Sequence, residues 1–343
     1  MTDYTPTLRS VLERRALELA WQQVRANRGA PGVDEVTLAR WERNWQENLD
    51  RLSHQVRTNT YRPNRPRRFR VLKPDGGWRE LSILTVTDRV LQRAVLNALA
   101  PAFEQEFLEG SYGYRPGRGV MQAVERVLRE RDRGFDWVLD ADIRDCFDSL
   151  EHGVILEGLR RAKAAPSLNR HPLLLRLIEL WLEAGAKRTP PPLVEVRPGV
   201  WRRSALAGPA PRRGVPLGAV ISPLLCNIVL HQLDLALERA GWQWVRYADD
   251  FVVLTRTRAE AEQAWEEVEA ALRGVSLELN PEKTRIASFA EGFTFLGVTF
   301  RGDTYSFVYE GKRFEVRGRN LSAKASPLPI LWNYAPDPYN WRW

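Results

Sequence analysis

Asp142 and the adjacent pair Asp249-Asp250 stand where apolar, strand-like runs stop abruptly. The first run is Trp137-Val138-Leu139-Asp140-Ala141-Asp142, and the second is Trp244-Val245-Arg246-Tyr247, resumed after the turn by Phe251-Val252-Val253-Leu254. Carboxylates crowded into an apolar hairpin repel one another, so something must compensate them. A pair of divalent ions would do so, and phosphoryl transfer uses that arrangement: one ion activates an attacking hydroxyl, the other stabilises a leaving pyrophosphate. Magnesium takes one or two carboxylates plus waters and phosphate oxygens, so three aspartates suffice. Taken singly, Asp249-Asp250 is equally a solvated hairpin turn and Asp142 a strand-end cap. With four histidines in the chain, a histidine-based metal or general-base centre is not indicated; His152 and His231 read as structural.

The elements that must position these acids follow from periodicity. Residues 8–26 and 36–56 read as amphipathic helices, joined by the turn-rich 27–32. Strands at about 68–73 and into 81–83 flank Lys73-Pro74-Asp75-Gly76-Gly77, a hairpin signal. Thr87 can cap a helix through Leu99 that Pro101 ends. Helical patterns cover 151–163, 172–184, 224–238 (opened by Ser222-Pro223) and 258–273, and the Pro-, Gly- and Arg-rich 189–216 reads as a loop or ragged hairpin. Leu277-Glu278-Leu279 reads as a further strand. The mix is α+β, an antiparallel sheet backed by helices.

At 343 residues the chain can bury a large core, and its formal net charge of +8 suits a polyanionic partner. Arginines cluster at 51–80 and 187–213, interleaved with Tyr61, Phe69, Trp78 and Trp201, which favours a nucleic-acid groove over a merely solvated face. No long apolar run or signal core is evident, so no membrane partner is expected. Two cysteines without a metal-ligand pattern fit a reduced, cytoplasmic protein.

Tyr247-Ala248-Asp249-Asp250 resembles the signature of reverse transcriptases, and its surroundings resemble the group II intron type of bacterial enzyme. Asn27-Arg28-Gly29-Ala30-Pro31-Gly32-Val33-Asp34 is similar to that family's N-terminal motif and Val71–Arg79 to its fingers hairpin. Ser111-Tyr112-Gly113-Tyr114-Arg115-Pro116-Gly117-Arg118, Asn280-Pro281-Glu282-Lys283-Thr284 and Phe295-Leu296-Gly297 complete a colinear series over about residues 20–300. The resemblance implies a right-hand polymerase with interleaved fingers and palm over 1–300, and a 301–343 extension (a short hairpin and an aromatic tail) in place of a thumb, which is absent or rudimentary.

It further implies that Asp142, Asp249 and Asp250 bind two Mg2+ ions, for which Mn2+ can substitute, and that Lys283 protonates the departing pyrophosphate. Lys73 and Arg79 would grip the incoming triphosphate, and Phe147 would exclude a ribose 2′-hydroxyl. Arg115 and Arg118 would touch template or primer backbone, and Phe295, Leu296 and Gly297 would form the primer grip. Leu217 departs from the family, which usually has glutamine at this position beside the nucleotide; leucine offers no hydrogen bond there. The implied reaction is RNA-directed extension of a DNA or RNA primer with deoxynucleotides. The implied setting is a complex with a protein that supplies thumb or integrase function, as in CRISPR spacer acquisition. The alternative is an RNA-binding, maturase-like or phage-defence protein on the same scaffold, with little or no catalysis.

Overall fold

The computed structural model describes residues 6–72, 76–162, 168, 172–186, 193–197, 200–203, 212–309 and 312–317. The chain divides into two compact units that interleave along the sequence. One holds residues up to Leu99, Phe147–Arg161 and Ala165–Ser222; the other holds Ala100–Cys146, Ala162–Ala164 and everything from Pro223 onward.

In the first unit, helix Arg14–Ala26 buries Leu17, Ala20, Trp21 and Val24, and helix Trp45–Arg57 buries Leu49, Leu52 and Val56, the i, i+3/i+4, i+7 spacing of one helical face. Each expected long helix is broken by a short leading turn, Leu8–Val11 and Leu38–Glu42, both capped by a threonine side chain. The expected hairpin is present: Arg67–Leu72 pairs antiparallel with Trp78–Ile83, from Arg67 opposite Ile83 to Leu72 opposite Trp78. Leu193–Arg197 and Val200–Arg203 form a second antiparallel hairpin with an irregular register, within the stretch read as loop or ragged hairpin.

Two expectations are corrected along the next helix, Val86–Glu104. It runs through Pro101 rather than stopping there. In a last turn proline costs a single backbone bond, and buried Ala102 and Phe103 anchor that turn. Thr85 caps the helix in place of Thr87: its hydroxyl accepts from Asp88 N at 3.1 Å and donates to Asp88 Oδ2 at 2.7 Å. Thr87 instead accepts from the Trp41 indole at 3.1 Å.

The second unit is built on a four-stranded antiparallel sheet in the order Gln243–Tyr247, Asp250–Thr255, Trp137–Asp142, Arg285–Ser288. Helices Val120–Asp132 and Arg258–Arg273 lie against its strands. Val138, Val245, Val252 and Leu254 join Val124, Val127 and Leu128 in one apolar core. The expected strand at 277–279 reduces to an isolated bridge between Leu279 and Ile143, and the fourth strand is Arg285–Ser288. Asn280 N donates to Asp142 O at 2.8 Å, so this segment meets the end of the Asp142 strand before turning into the sheet. A second four-stranded sheet holds Phe293–Phe295, Val298–Arg301, Thr304–Tyr309 and Lys312–Arg317; the last two form the hairpin expected beyond residue 300. The aromatic tail lies outside the described residues.

Candidate active site

Strand register brings the acids together. Asp142 is the cross-strand partner of Asp250, and Ile143 N donates to Asp249 O at 3.3 Å. Period-two alternation puts Asp140 on the same face as Asp142, and Arg285 neutralises it through an Nε–Oδ2 contact of 3.2 Å. Burial, followed by the charges of Asp140, Asp142 and Asp249, pushes the Asp250 carboxyl up to about 7, with Lys283 opposing. Asp142 Oδ2 accepts from Asn280 Nδ2 at 3.2 Å and faces Lys283 Nζ at 3.4 Å.

Among the described residues no three His, Cys, Asp or Glu side chains converge as a ready-made metal cage. The donor set nevertheless fits hard divalent ions that take one or two carboxylates each and complete their shells with water and phosphate. Burial first, and then the neighbouring carboxylates, disfavour the charged form of Asp250 despite half-exposed Lys283, and a bound cation would favour that charged form.

Tyr247 and Asp250 close a hairpin whose two loop residues are Ala248 and Asp249. Ala248 is buried and has φ +60°, the left-handed region that costs a non-glycine residue about 1–2 kcal/mol. Gly113 approaches this turn so closely that a Cβ on it would lie 2.3 Å from Ala248 N. The Ser111–Arg118 motif therefore acts first on the turn. Sequence reasoning missed Arg246, which donates to Ala248 O at 3.0 Å, and its buried partners Asn227 and Asp234. A signal for them existed: two polar residues seven apart, on one face of the helix Ser222–Ala240 and flanked there by apolar residues.

Arg115 does not lie where a template contact needs it. It is 1% exposed, and all five guanidinium N–H groups point inward, to the Glu104 carboxylate and to the carbonyls of Phe107, Leu108 and Ser111. It braces the loop. Arg118 is partly exposed, bonded to the Glu109 carbonyl at 2.8 Å and resting over the Tyr112 ring. Leu296 and Gly297, at φ +52° and +76°, form a two-residue hairpin tip with both central residues left-handed, while Phe295 is buried beneath it among Phe293 and Phe300.

In the other unit Arg79 is exposed on the fingers hairpin opposite Val71, and Lys73 lies outside the described residues. Phe147 is half-buried, its carbonyl accepting from Val215 N at 2.8 Å. Leu217 is pinned through its carbonyl to Ser82 N at 2.8 Å and lines a cleft of about 200 Å³ with Arg68, Glu80, Asp148 and Arg213.

The reverse transcriptase (RNA-dependent DNA polymerase) family profile matches residues 71–300, from the fingers hairpin to the strand after the Leu296-Gly297 tip. The chain belongs to the reverse transcriptase family. It is 31% identical over 331 residues to protein YkfC of Escherichia coli (strain K12), covering 84% of this chain and 81% of that one. It is 30% identical over 234 residues to the group II intron-encoded protein LtrA of Lactococcus lactis subsp. cremoris, covering 67% of this chain and 35% of LtrA, about a third of that protein. Among solved structures, telomerase from Candida albicans aligns at a TM-score of 0.50 with 13% identity over 77% of this chain and 50% of that one, a likeness of fold. A Cas6-RT-Cas1–Cas2 complex component aligns at 0.42, too loose to argue from. Among the described residues no helix is long and apolar enough to cross a membrane.

Proposed function

We propose that this reverse transcriptase extends a primer on an RNA template with deoxynucleotides, through two divalent ions held by Asp142, Asp249 and Asp250. The observation that carries the reading is the register pair Asp142–Asp250 with Asp249 in the connecting turn. When bound, magnesium ions acidify the primer 3′-hydroxyl and neutralise charge on the leaving pyrophosphate. Asp142 and Asp250 orient that charge, Asn280 fixes the Asp142 rotamer, and Lys283 delivers a proton to the leaving group.

Lys73 and Arg79 bind the triphosphate as a point charge and a bidentate fork. Phe147 selects against a ribose 2′-hydroxyl, Arg118 contacts the nucleic-acid backbone, and the Leu296-Gly297 tip supports the primer end. The family resemblance also implies work beside a protein partner, such as a CRISPR spacer integrase; affinity purification that returns no integrase would count against that setting.

Primer extension on RNA and DNA templates, with deoxynucleotides or ribonucleotides and with Asp249→Ala as control, tests the reaction. Template-directed deoxynucleotide incorporation that vanishes in Asp249→Ala is expected. Incorporation indifferent to that substitution, or none with either Mg2+ or Mn2+, refutes it.

A further inference from the structure

We propose that Arg246 is a positioning residue: a buried guanidinium that sets the conformation of the Ala248-Asp249 turn and thereby the placement of the metal-binding acids. The assignment rests on the nucleotidyl-transfer reading of the site above.

Arg246 and Asp234 are both wholly buried, at 0% side-chain exposure each. A buried ion pair is a poor stabiliser, since well-packed apolar residues in its place are often as stable or more so. Its presence calls for a geometric reason, and its hydrogen bonds supply one. Nε and Nη2 fork onto the Asp234 carboxylate at 2.7 and 2.5 Å. Nη1 donates to Asn227 Oδ1 at 2.9 Å and to Ala248 O at 3.0 Å, and Nη2 donates to Ser111 Oγ at 2.8 Å. All five donors are used, on three separate stretches of chain.

The only backbone group in this set is the carbonyl of Ala248, the residue held at φ +60°. A strained residue persists where its surroundings over-determine it. Here they do so from both sides. Gly113 abuts the amide of Ala248 and is held by Asn227, whose Nδ2 donates to Gly113 O at 2.9 Å. The main chain of Arg246 adds two bonds, its N–H to Gly110 O and its carbonyl from Tyr112 N, both 2.8 Å. Asn227 thus joins the two halves of the clamp. Asp249 follows Ala248 directly and cannot shift unless this network gives.

The test replaces the ion pair by an apolar pair, Arg246→Met with Asp234→Leu, so that neither charge is left uncompensated. Folding is followed by circular dichroism and urea denaturation, Mn2+ binding by electron paramagnetic resonance, and single-nucleotide incorporation by kcat and KM. The folded double variant is expected to bind Mn2+ about tenfold more weakly and to lose about 10–100-fold in kcat. Its nucleotide KM is expected to stay within about threefold, because the nucleotide-binding groups are elsewhere. Should the double variant fail to fold, Arg246→Lys, which keeps the charge and loses the fork, is expected to show the same split.

Wild-type kcat and Mn2+ affinity in either folded variant overturn the assignment. A wild-type protein that binds Mn2+ yet incorporates nothing refutes the polymerase reading alone; loss of Mn2+ affinity in the variants then still upholds the positioning role.

Discussion

Gly113→Ala adds one methyl group where the chain packs tightly against the Ala248-Asp249 turn. The new Cβ would lie 2.3 Å from Ala248 N and 2.9 Å from the Tyr247 carbonyl carbon, against an ordinary contact of at least 3.4 Å. Both neighbours are backbone atoms, so no side chain can rotate aside. One main chain must retreat by about 1 Å, the shortfall at the nearer contact, and overpacking of this kind costs about 1–3 kcal/mol of stability. Asn227 opposes movement of Gly113 and Arg246 opposes movement of Ala248, so whichever segment yields does so against a hydrogen bond that holds it.

The turn that moves carries Asp249. A displacement of about 1 Å at a reacting centre lowers turnover by about 100-fold, or about 3 kcal/mol on the barrier. The assay is single-nucleotide primer extension at saturating substrate, beside urea denaturation to show that the variant is folded. Nucleotide KM should change little. Gly153→Ala is the matched control. Gly153 lies in helix His152–Arg161 with open space around its missing Cβ, and alanine there should be neutral or stabilise by up to about 1 kcal/mol. A folded Gly113→Ala enzyme with kcat within about threefold of wild type would falsify the claim that this contact sets the turn.

Tyr61→Phe removes a hydroxyl that donates to Asp88 Oδ1 at 2.5 Å and accepts from Trp181 Nε1 at 3.0 Å, all three residues being buried; stripping that bond from the indole and from Oδ1, while Oδ2 keeps its bonds from Thr85 and Asn64, should cost about 1–3 kcal/mol in urea unfolding with no effect specific to catalysis. His152 is held below its usual 6.5 by burial, against an opposing bond to Gly214 O at 2.9 Å. Its stability contribution is therefore complete above 6.5 and lost as pH falls through the depressed value, so His152→Gln should flatten the drop in urea midpoint between neutral and mildly acidic pH. Lys283→Met should leave stability within about 0.5 kcal/mol, because the pair with Asp142 is half-exposed at 3.4 Å. It should nevertheless reduce kcat by about 100-fold or more and remove a basic limb from the pH–rate profile; an unaltered profile would exclude the general-acid role. Leu217→Gln should shift nucleotide KM or error rate, since it brings an amide to a position where leucine has none; identical values in the two proteins would mean that position 217 does not meet the nucleotide.

The convergence of Asp142 and the Asp249-Asp250 pair, and the elements carrying them, were legible because strand rules determine both. A strand alternates, an acid at its end interrupts the alternation, and the antiparallel register then sets Asp142 opposite Asp250. Pro101 and the 277–279 segment misled because the local signal was outweighed by something distant: the burial of Ala102 and Phe103 in one case, the bond from Asn280 N to Asp142 O in the other. Arginines were the least legible residues. Arg115 and Arg246 sit in motif segments and read as ordinary basic side chains, yet each is buried with every donor used inside the protein. What decides their fate is a carboxylate brought within reach by folding, Glu104 eleven residues away for one and Asp234 twelve away for the other.

This also bears on the charge argument. Arg115 and Arg246 carry formal charges compensated at short range, so they contribute little to the field that a polyanion would meet. Exposed arginines such as Arg67, Arg70 and Arg79 on the fingers hairpin, where the sequence also interleaves aromatic residues, are groups whose charge does reach solvent. The +8 total is therefore a poor measure of surface charge, because the arginines divide between exposed groups and internal braces such as Arg115 and Arg246.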